Sequence, residues 1–237
     1  MTIIFEERAS DSTYVESITR GWTLSDGSPI RPAEVHWHMV FVRVNGNDLP
    51  LVVGPWSTAG VATYGEGAEI LWIKFKLGTF MPHLPTGDFR DVETSLPGAS
   101  SQSFWLNSSA WQFPDYENAD TFVDRLVRED VLARDPVVKE TLQGHLQEDM
   151  SSRTLRYRFA RATGLTQSHI DQFERAKRAA ALLAQGVPIL DTVFEAGYYD
   201  QPHLTRSVKR FIGHTPGQLV GTGAPQSGQR IQTDAQA

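Results

Sequence analysis

The 237 residues contain no cysteine, which excludes disulfides, thiolate metal sites and thiol redox chemistry. No run of 18 apolar residues occurs, so no membrane-spanning helix is expected. The opening MTIIFEERAS lacks a basic stretch followed by an apolar one, so no secretory signal is expected either, and a cytoplasmic location follows as the working expectation. Missing too are a glycine-rich phosphate loop, paired catalytic carboxylates and a nucleophile elbow, so neither an enzyme nor a cofactor is expected. Positive charge is in short supply overall, with 22 Lys+Arg against 28 Asp+Glu and a formal net charge of −6.

What is present is 40% hydrophobic and 21% charged residues, ordinary for a soluble globular protein with room for two modest domains. The charge is unevenly divided. Residues 1–136 carry 10 Lys+Arg against 19 Asp+Glu, whereas residues 137–220 carry 11 against 8. An acidic N-terminal part on a basic C-terminal part suits a regulated nucleic-acid binder, because cations are needed only at the contact surface.

The N-terminal part reads as strands and turns. A β-favouring run over residues 35–44 ends at Asn45-Gly46-Asn47-Asp48 and resumes at residues 49–53, a hairpin signal. Residues 68–77 alternate around Leu71, Ile73, Phe75 and Leu77, as a half-buried strand does. Pro50, Pro55, Pro82, Pro85 and Pro97 disfavour long helices here, and a small β-sandwich or barrel is the economical reading. Helical spacing starts near Asn118, a candidate N-cap, and runs towards Asp135-Pro136, taken as the domain boundary. Beyond it, Val138, Leu142 and Leu146 place a helix that stops at Glu148-Asp149. A longer helix spans residues 167–185, and a short one around Ile189, Val193 and Phe194 turns at Gly197. From residue 221 the chain turns to Gly, Gln, Thr, Ala and Pro without periodicity, which reads as a disordered tail over 221–237.

The strongest signal is a segment that occurs twice, 49 residues apart: RTLRYRFARATGLT at 153–166 and PHLTRSVKRFIGHT at 202–215. Leu155, Phe159 and Ala162 in the first copy, and Leu204, Val208 and Phe211 in the second, form an apolar stripe at i, i+4, i+7, and each helix ends at glycine, Gly164 or Gly213. The opposite face presents Arg153, Thr154, Arg156, Tyr157 and Arg161 in one copy and His203, Thr205, Arg206, Lys209 and Arg210 in the other. Such faces suit major-groove readout: arginine forks guanine, threonine touches the thymine methyl, and any of the cations holds phosphate. Each copy follows a short scaffold helix and a tight turn, a helix-turn-helix arrangement present twice. Gly197 supplies positive φ in the second turn, and Glu148-Asp149 stands in the corresponding stretch of the first.

Residues 189–216, ILDTVFEAGYYDQPHLTRSVKRFIGHTP, resemble the signature of the AraC/XylS family of bacterial transcription regulators over its second helix-turn-helix, including the closing Gly213-x-Thr215-Pro216. The resemblance extends over residues 137–220 and implies two units docked in successive major grooves on one face of double-stranded DNA. Pro202, His203 and Leu204 stand where that pattern more often has serine and two aromatics; Leu for Phe is a tolerable core swap, and the base preference at His203 is open. Through Gly54-Pro55, residues 78–85 (GTFMPHLP) and Phe104-Trp105-Leu106, the N-terminal part resembles less specifically the compact β-rich sensory module of some members.

The fold expected is therefore α+β, with a small β-sandwich or barrel of cupin-like kind over residues 1–135 followed by an all-α domain over 136–220 that holds two helix-turn-helix units. The function expected is sequence-specific DNA binding in transcription regulation, controlled by a small molecule or by homodimerisation through the N-terminal part. All six tryptophans lie in that part, and a pocket lined by Trp22, Trp37 and Trp72 with His36, His38 and His83 would take an apolar or aromatic effector. Simple core packing is the competing role for these rings. His36 and His38 share one strand face, as cupin metal ligands do, with His83 a third candidate. The carboxylate expected a few residues on is missing, since residues 40–44 offer only Arg43, and no metal is assigned. A metal-dependent cupin-like enzyme with an accessory helical domain is the alternative function.

Overall fold

The computed structural model describes residues 3–144, 150–223 and 229–230. Strands His38–Val44 and Asn47–Val53 are joined by Asn45 and Gly46, whose φ values of 51° and 77° are both left-handed, as a two-residue hairpin turn matched to strand twist requires. They extend into a seven-stranded sheet in the order Gln229–Arg230, Ile3–Ala9, Val15–Thr23, Glu69–Phe75, His38–Val44, Asn47–Val53, Glu93–Ser95. Every pairing in it is antiparallel except that of Gln229–Arg230 with Ile3–Ala9. Those two residues are the only part of 224–237 that is described; the rest of the expected tail lies outside the described residues, apart from its start at 221–223.

Period-two alternation sends Met39, Phe41, Leu71, Ile73 and Phe75 to one face of the sheet. A three-stranded sheet (Gly98–Ser100, Ser103–Leu106, Ser109–Gln112) and helix α1 (Ala119–Arg128) close over that face with Phe104, Trp111, Phe122 and Leu126. Phe41 meets Phe122 edge-on at 5.8 Å, an arrangement that suits the ring quadrupoles. The opposite face holds Val40, Val53 and Ile70, with Phe5, Trp56, Tyr64 and Trp72 only partly buried against them. Gly21 sits mid-strand because a Cβ there would lie 2.8 Å from Phe5 and 2.9 Å from Trp72.

The helix expected from Asn118 towards Asp135-Pro136 is shorter than its periodicity suggests. Asn118 holds the N-cap position, but its Oδ1 accepts from the Asp115 backbone N–H at 3.0 Å and no side-chain cap bond forms. At the other end Asp130 adopts φ 55°, which breaks the helix and turns Val131 and Leu132 into the core. Ala133–Arg134 then pairs with Thr79–Phe80, and Asp135 caps α2 (Pro136–Leu142) by accepting from the Val137 N–H. Leu146 and the turn expected at Glu148-Asp149 lie outside the described residues.

The sequence repeat is a structural repeat. Helices α3 (Ser152–Thr163) and α6 (Gln201–Ile212) are both 12 residues long. Ser151 and Asp200 cap them alike, each accepting from the backbone N–H three residues on, at Thr154 and His203. Gly164 and Gly213 end them alike, at φ 73° and 86°, with their N–H groups on Ala160 and Lys209. Between them lie α4 (Gln167–Ala184) and α5 (Ile189–Glu195); the short α7 (Pro216–Leu219) follows α6. Their core of Phe159, Ile170, Phe173, Leu183, Val208 and Phe211 is continuous with Ala33, Val35 and Phe80 of the β-rich region, so the two regions share buried surface.

Both repeat glycines abut the β-rich region. A Cβ at Gly164 would lie 3.2 Å from Pro55 and 3.3 Å from the Thr86 carbonyl, and one at Gly213 would overlap the Ile30 side chain and lie 3.2 Å from Ala59. Two backbone bonds fasten the same end of α6: Ala33 N–H to the Phe211 carbonyl at 2.7 Å and Ala59 N–H to that of Arg210 at 2.8 Å. Gly197, also left-handed at φ 71°, has open space around it. Gly197→Ala is therefore expected to lose only the left-handed strain, about 1–2 kcal/mol, and Gly213→Ala distinctly more, because strain and overlap add. Urea unfolding of the two variants checks this, and equal losses would contradict the packing at Gly213.

Candidate nucleic-acid interface

Burial of Phe159, Ala162 and Thr163 rotates Arg153, Thr154, Arg156, Tyr157 and Arg161 to the outside of α3, and all five are exposed. Burial of Leu204, Val208, Phe211 and Ile212 does the same in α6 for Arg206, Lys209 and Arg210. His203 and Thr205 are half-buried at the edge of that face. His203 stands edge-on to Tyr198 at 5.0 Å, and the Thr205 hydroxyl donates to the Gln201 carbonyl at 2.9 Å. Tyr157, 65% exposed, stands 49 residues before Arg206 and takes its place in the first unit.

The ten side chains are not equally free. Arg156 Nε donates to its own helix at the Ser152 carbonyl, 3.1 Å away, and Thr154 Oγ1 lies 2.9 Å from Ser151 Oγ. Lys209 Nζ donates to the Gly213 carbonyl at 2.8 Å and so caps its own helix. Arg161 lies over the Phe80 ring of the β-rich region at 5.7 Å, and Arg210 over Phe211 of its own helix at 4.9 Å. Among the described residues Arg153, Tyr157 and Arg206 have no polar partner, and these sit in the N-terminal and middle turns of their helices. That is where a recognition helix meets base edges.

Groups that sequence alone did not single out hold these faces in place. Arg158, one residue beyond Tyr157, is withdrawn from the face by a fork onto Asp135, at 3.0 and 2.7 Å. In the second unit Tyr198 Oη donates to Ser207 Oγ at 2.9 Å, and Arg178 donates to the Ala196 carbonyl at 3.0 Å, which locks the turn at Gly197. An aromatic next to the turn glycine was the available signal for Tyr198; the Asp135–Arg158 pair, 23 residues apart, had none.

A family model described as a helix-turn-helix domain matches residues 147–221, which takes in both caps of α3 and of α6. These residues form a helix-turn-helix domain. The chain thus has a β-rich N-terminal region followed by a helical C-terminal one that holds a DNA-binding helix-turn-helix domain. A solved structure of ToxT from Vibrio cholerae aligns with 95% of this chain and 100% of that one, at 8% identity and a TM-score of 0.39. No curated protein matches the chain. No helix among the described residues is long and apolar enough to cross a membrane.

The six residues expected to line an effector pocket do not converge. Trp37 is buried in the core, its ring 5.6 Å from Phe89 and its indole N–H without a partner among the described residues. Trp72 lies on the opposite sheet face, 5.3 Å from Phe5, while Trp22 has Arg20 over its ring at 5.4 Å. His83 is exposed in the turn after Thr79–Phe80. Two surface depressions, of about 360 and 540 Å³, are lined by Arg134, Pro136, Lys139, Glu140 and Gln143 and by residues 26–28 and 63–65, none of the six.

His36 and His38 do come together, around a carboxylate that lies upstream of them, not a few residues on. Glu34 takes His36 Nδ1 at 2.5 Å and Lys74 Nζ at 2.9 Å, with His38 Nε2 4.0 Å away. Among the described residues no three His, Asp or Glu side chains are arranged to hold a metal ion, and the Lys74 ammonium already neutralises the only carboxylate in this cluster. Burial would raise the Glu34 pKa, but the His36 hydrogen bond and the charges of His36, His38 and Lys74 outweigh it and hold the carboxyl well below its usual range. Burial depresses His38 to about 4, against the pull of Glu34.

His38 is therefore neutral in the folded chain where it would be protonated in the unfolded one. Its contribution is complete above an unfolded pKa of about 6.5 and is lost as pH falls towards 4. His169, depressed mainly by burial, acts in the same sense. Stability is expected to drop on acidification from pH 6.5 to 4.5, with His38 supplying roughly 1 kcal/mol per pH unit. Denaturant titrations at several pH values should show a shallower slope for His38→Gln; an unchanged slope would remove His38 from this account.

Proposed function

We propose that the N-terminal region controls DNA reading by acting on both helix-turn-helix units through their equivalent ends, in response to a small molecule or to pairing of two chains. The observation that carries this is the lodging of Gly164 against Pro55 and of Gly213 against Ala59, four residues further along one β-region segment. A shift of residues 55–59 moves the rear ends of both reading helices together, while their N-terminal halves stay free for DNA. Ser57, midway along, is held by Asp91 through its N–H at 2.5 Å and its hydroxyl at 2.7 Å, which ties the segment to the loop before Glu93–Ser95. The Trp37 N–H, without a partner among the described residues, offers a donor to an entering ligand.

The reading surface proposed is Arg153, Thr154, Arg156, Tyr157 and Arg161 on one segment of duplex and His203, Thr205, Arg206, Lys209 and Arg210 on the next. Arg153 and Arg206 are the base-reading or phosphate-holding cations with no partner among the described residues to give up. Arg153→Ala and Arg206→Ala should each weaken binding to a selected duplex by about 1–3 kcal/mol; a base contact relaxes preference at one position, and a phosphate contact lowers the salt slope by about one unit. Binding unchanged in both variants would refute the face assignment. For the control itself, Ala59→Pro deletes the N–H bonded to Arg210 and is expected to change affinity for the duplex while Arg153 and Arg206 are intact. An affinity equal to that of the parent chain in a folded Ala59→Pro variant would argue against control through this segment.

A further inference from the structure

Tyr199 is 92% exposed, more than any other large apolar side chain among the described residues. It lies in the turn between α5 and α6, directly before Asp200, and no contact within the described chain accounts for it. Two more exposed apolar side chains are close in sequence, Leu190 at 62% and Phe194 at 81%, four residues apart on the outer side of α5. Their surroundings differ. Leu190 and Phe194 share α5 with the exposed acids Asp191 and Glu195, a setting that DNA phosphates repel. Tyr199 instead borders the N-terminus of the reading helix. There the neighbouring Asp200 carboxylate is tied down by the His203 N–H at 2.7 Å, and the helix dipole favours a negative partner.

We infer that Tyr199 is a further DNA-contacting residue of the second unit, placing its ring against a sugar and donating its phenol O–H to a phosphate oxygen next to the groove that Arg206 enters. In a helix-turn-helix the helix before the turn crosses the duplex backbone, so a turn that leads from it into the groove passes beside phosphates, and tyrosine is among the side chains that bond them. The first unit has Met150 at the equivalent position, 49 residues earlier, which has no such donor. The contact is therefore specific to the second unit and positions it without reading sequence.

This rests on the proposed reading face, and the test separates the two. Affinity of the full chain for a selected duplex and for a random one is measured over a range of salt for Tyr199→Phe, Tyr199→Ala and Arg206→Ala. Tyr199→Phe is expected to weaken both duplexes about fivefold, the share of one hydrogen bond, and Tyr199→Ala about tenfold or more. Neither should alter the salt slope, since a neutral side chain releases no counterion. Arg206→Ala should weaken binding with either a lower slope or a relaxed base preference. Thermal midpoints of both Tyr199 variants should match the parent, because so exposed a side chain has little to lose on folding. If Tyr199→Ala binds both duplexes like the parent while Arg206→Ala does not, the inference is wrong and the exposed ring serves a protein partner. If neither variant differs from the parent, the reading face itself is wrong.

Discussion

Everything distinctive about this chain depends on how two short helices end. Gly164 and Gly213 each take a left-handed conformation and each press against the β-rich region at a point where a side chain would crowd or overlap its neighbours. That one constraint has two consequences. It aligns the rear ends of α3 and α6 on a short segment of the same region, and it leaves the capped N-terminal ends of both free of it. A reading element needs one end fixed and the other accessible, and the glycine caps supply the fixed end.

The division of charge follows the same geometry. Cations near the docked ends have local company: Arg161 over Phe80, Arg210 over Phe211, Lys209 on the Gly213 carbonyl. Cations further forward, Arg153 and Arg206, have none among the described residues, so binding an anionic polymer asks them to give up only water. Tyr157 stands in the first unit where Arg206 stands in the second, so the two faces are homologous without being interchangeable.

Much of this was legible in the chain because it is local. The repeat, the glycine C-caps and the Asn45-Gly46 hairpin are short-range chemistry, and each appears where its residues ask for it. What was not legible depends on distant partners. The helix from Asn118 ends early because Val131 and Leu132 are wanted in the core beneath the large sheet, a demand that overrides helical spacing. The spacing of His36 and His38 suggests metal or effector ligands, yet their environment is set by Glu34 upstream and by Lys74, forty residues away in sequence from it. The tryptophans share a region without sharing a cavity, because alternation along the strands sends Trp37 and Trp72 to opposite faces of one sheet.

A hydroxyl-radical footprint of the full chain on a duplex selected from random sequence tests the central claim most directly. Two helices fixed on a single support should protect two short stretches about 10 base pairs apart on the same face of the duplex, the spacing of one helical turn. A single protected stretch, or two on opposite faces, would contradict it.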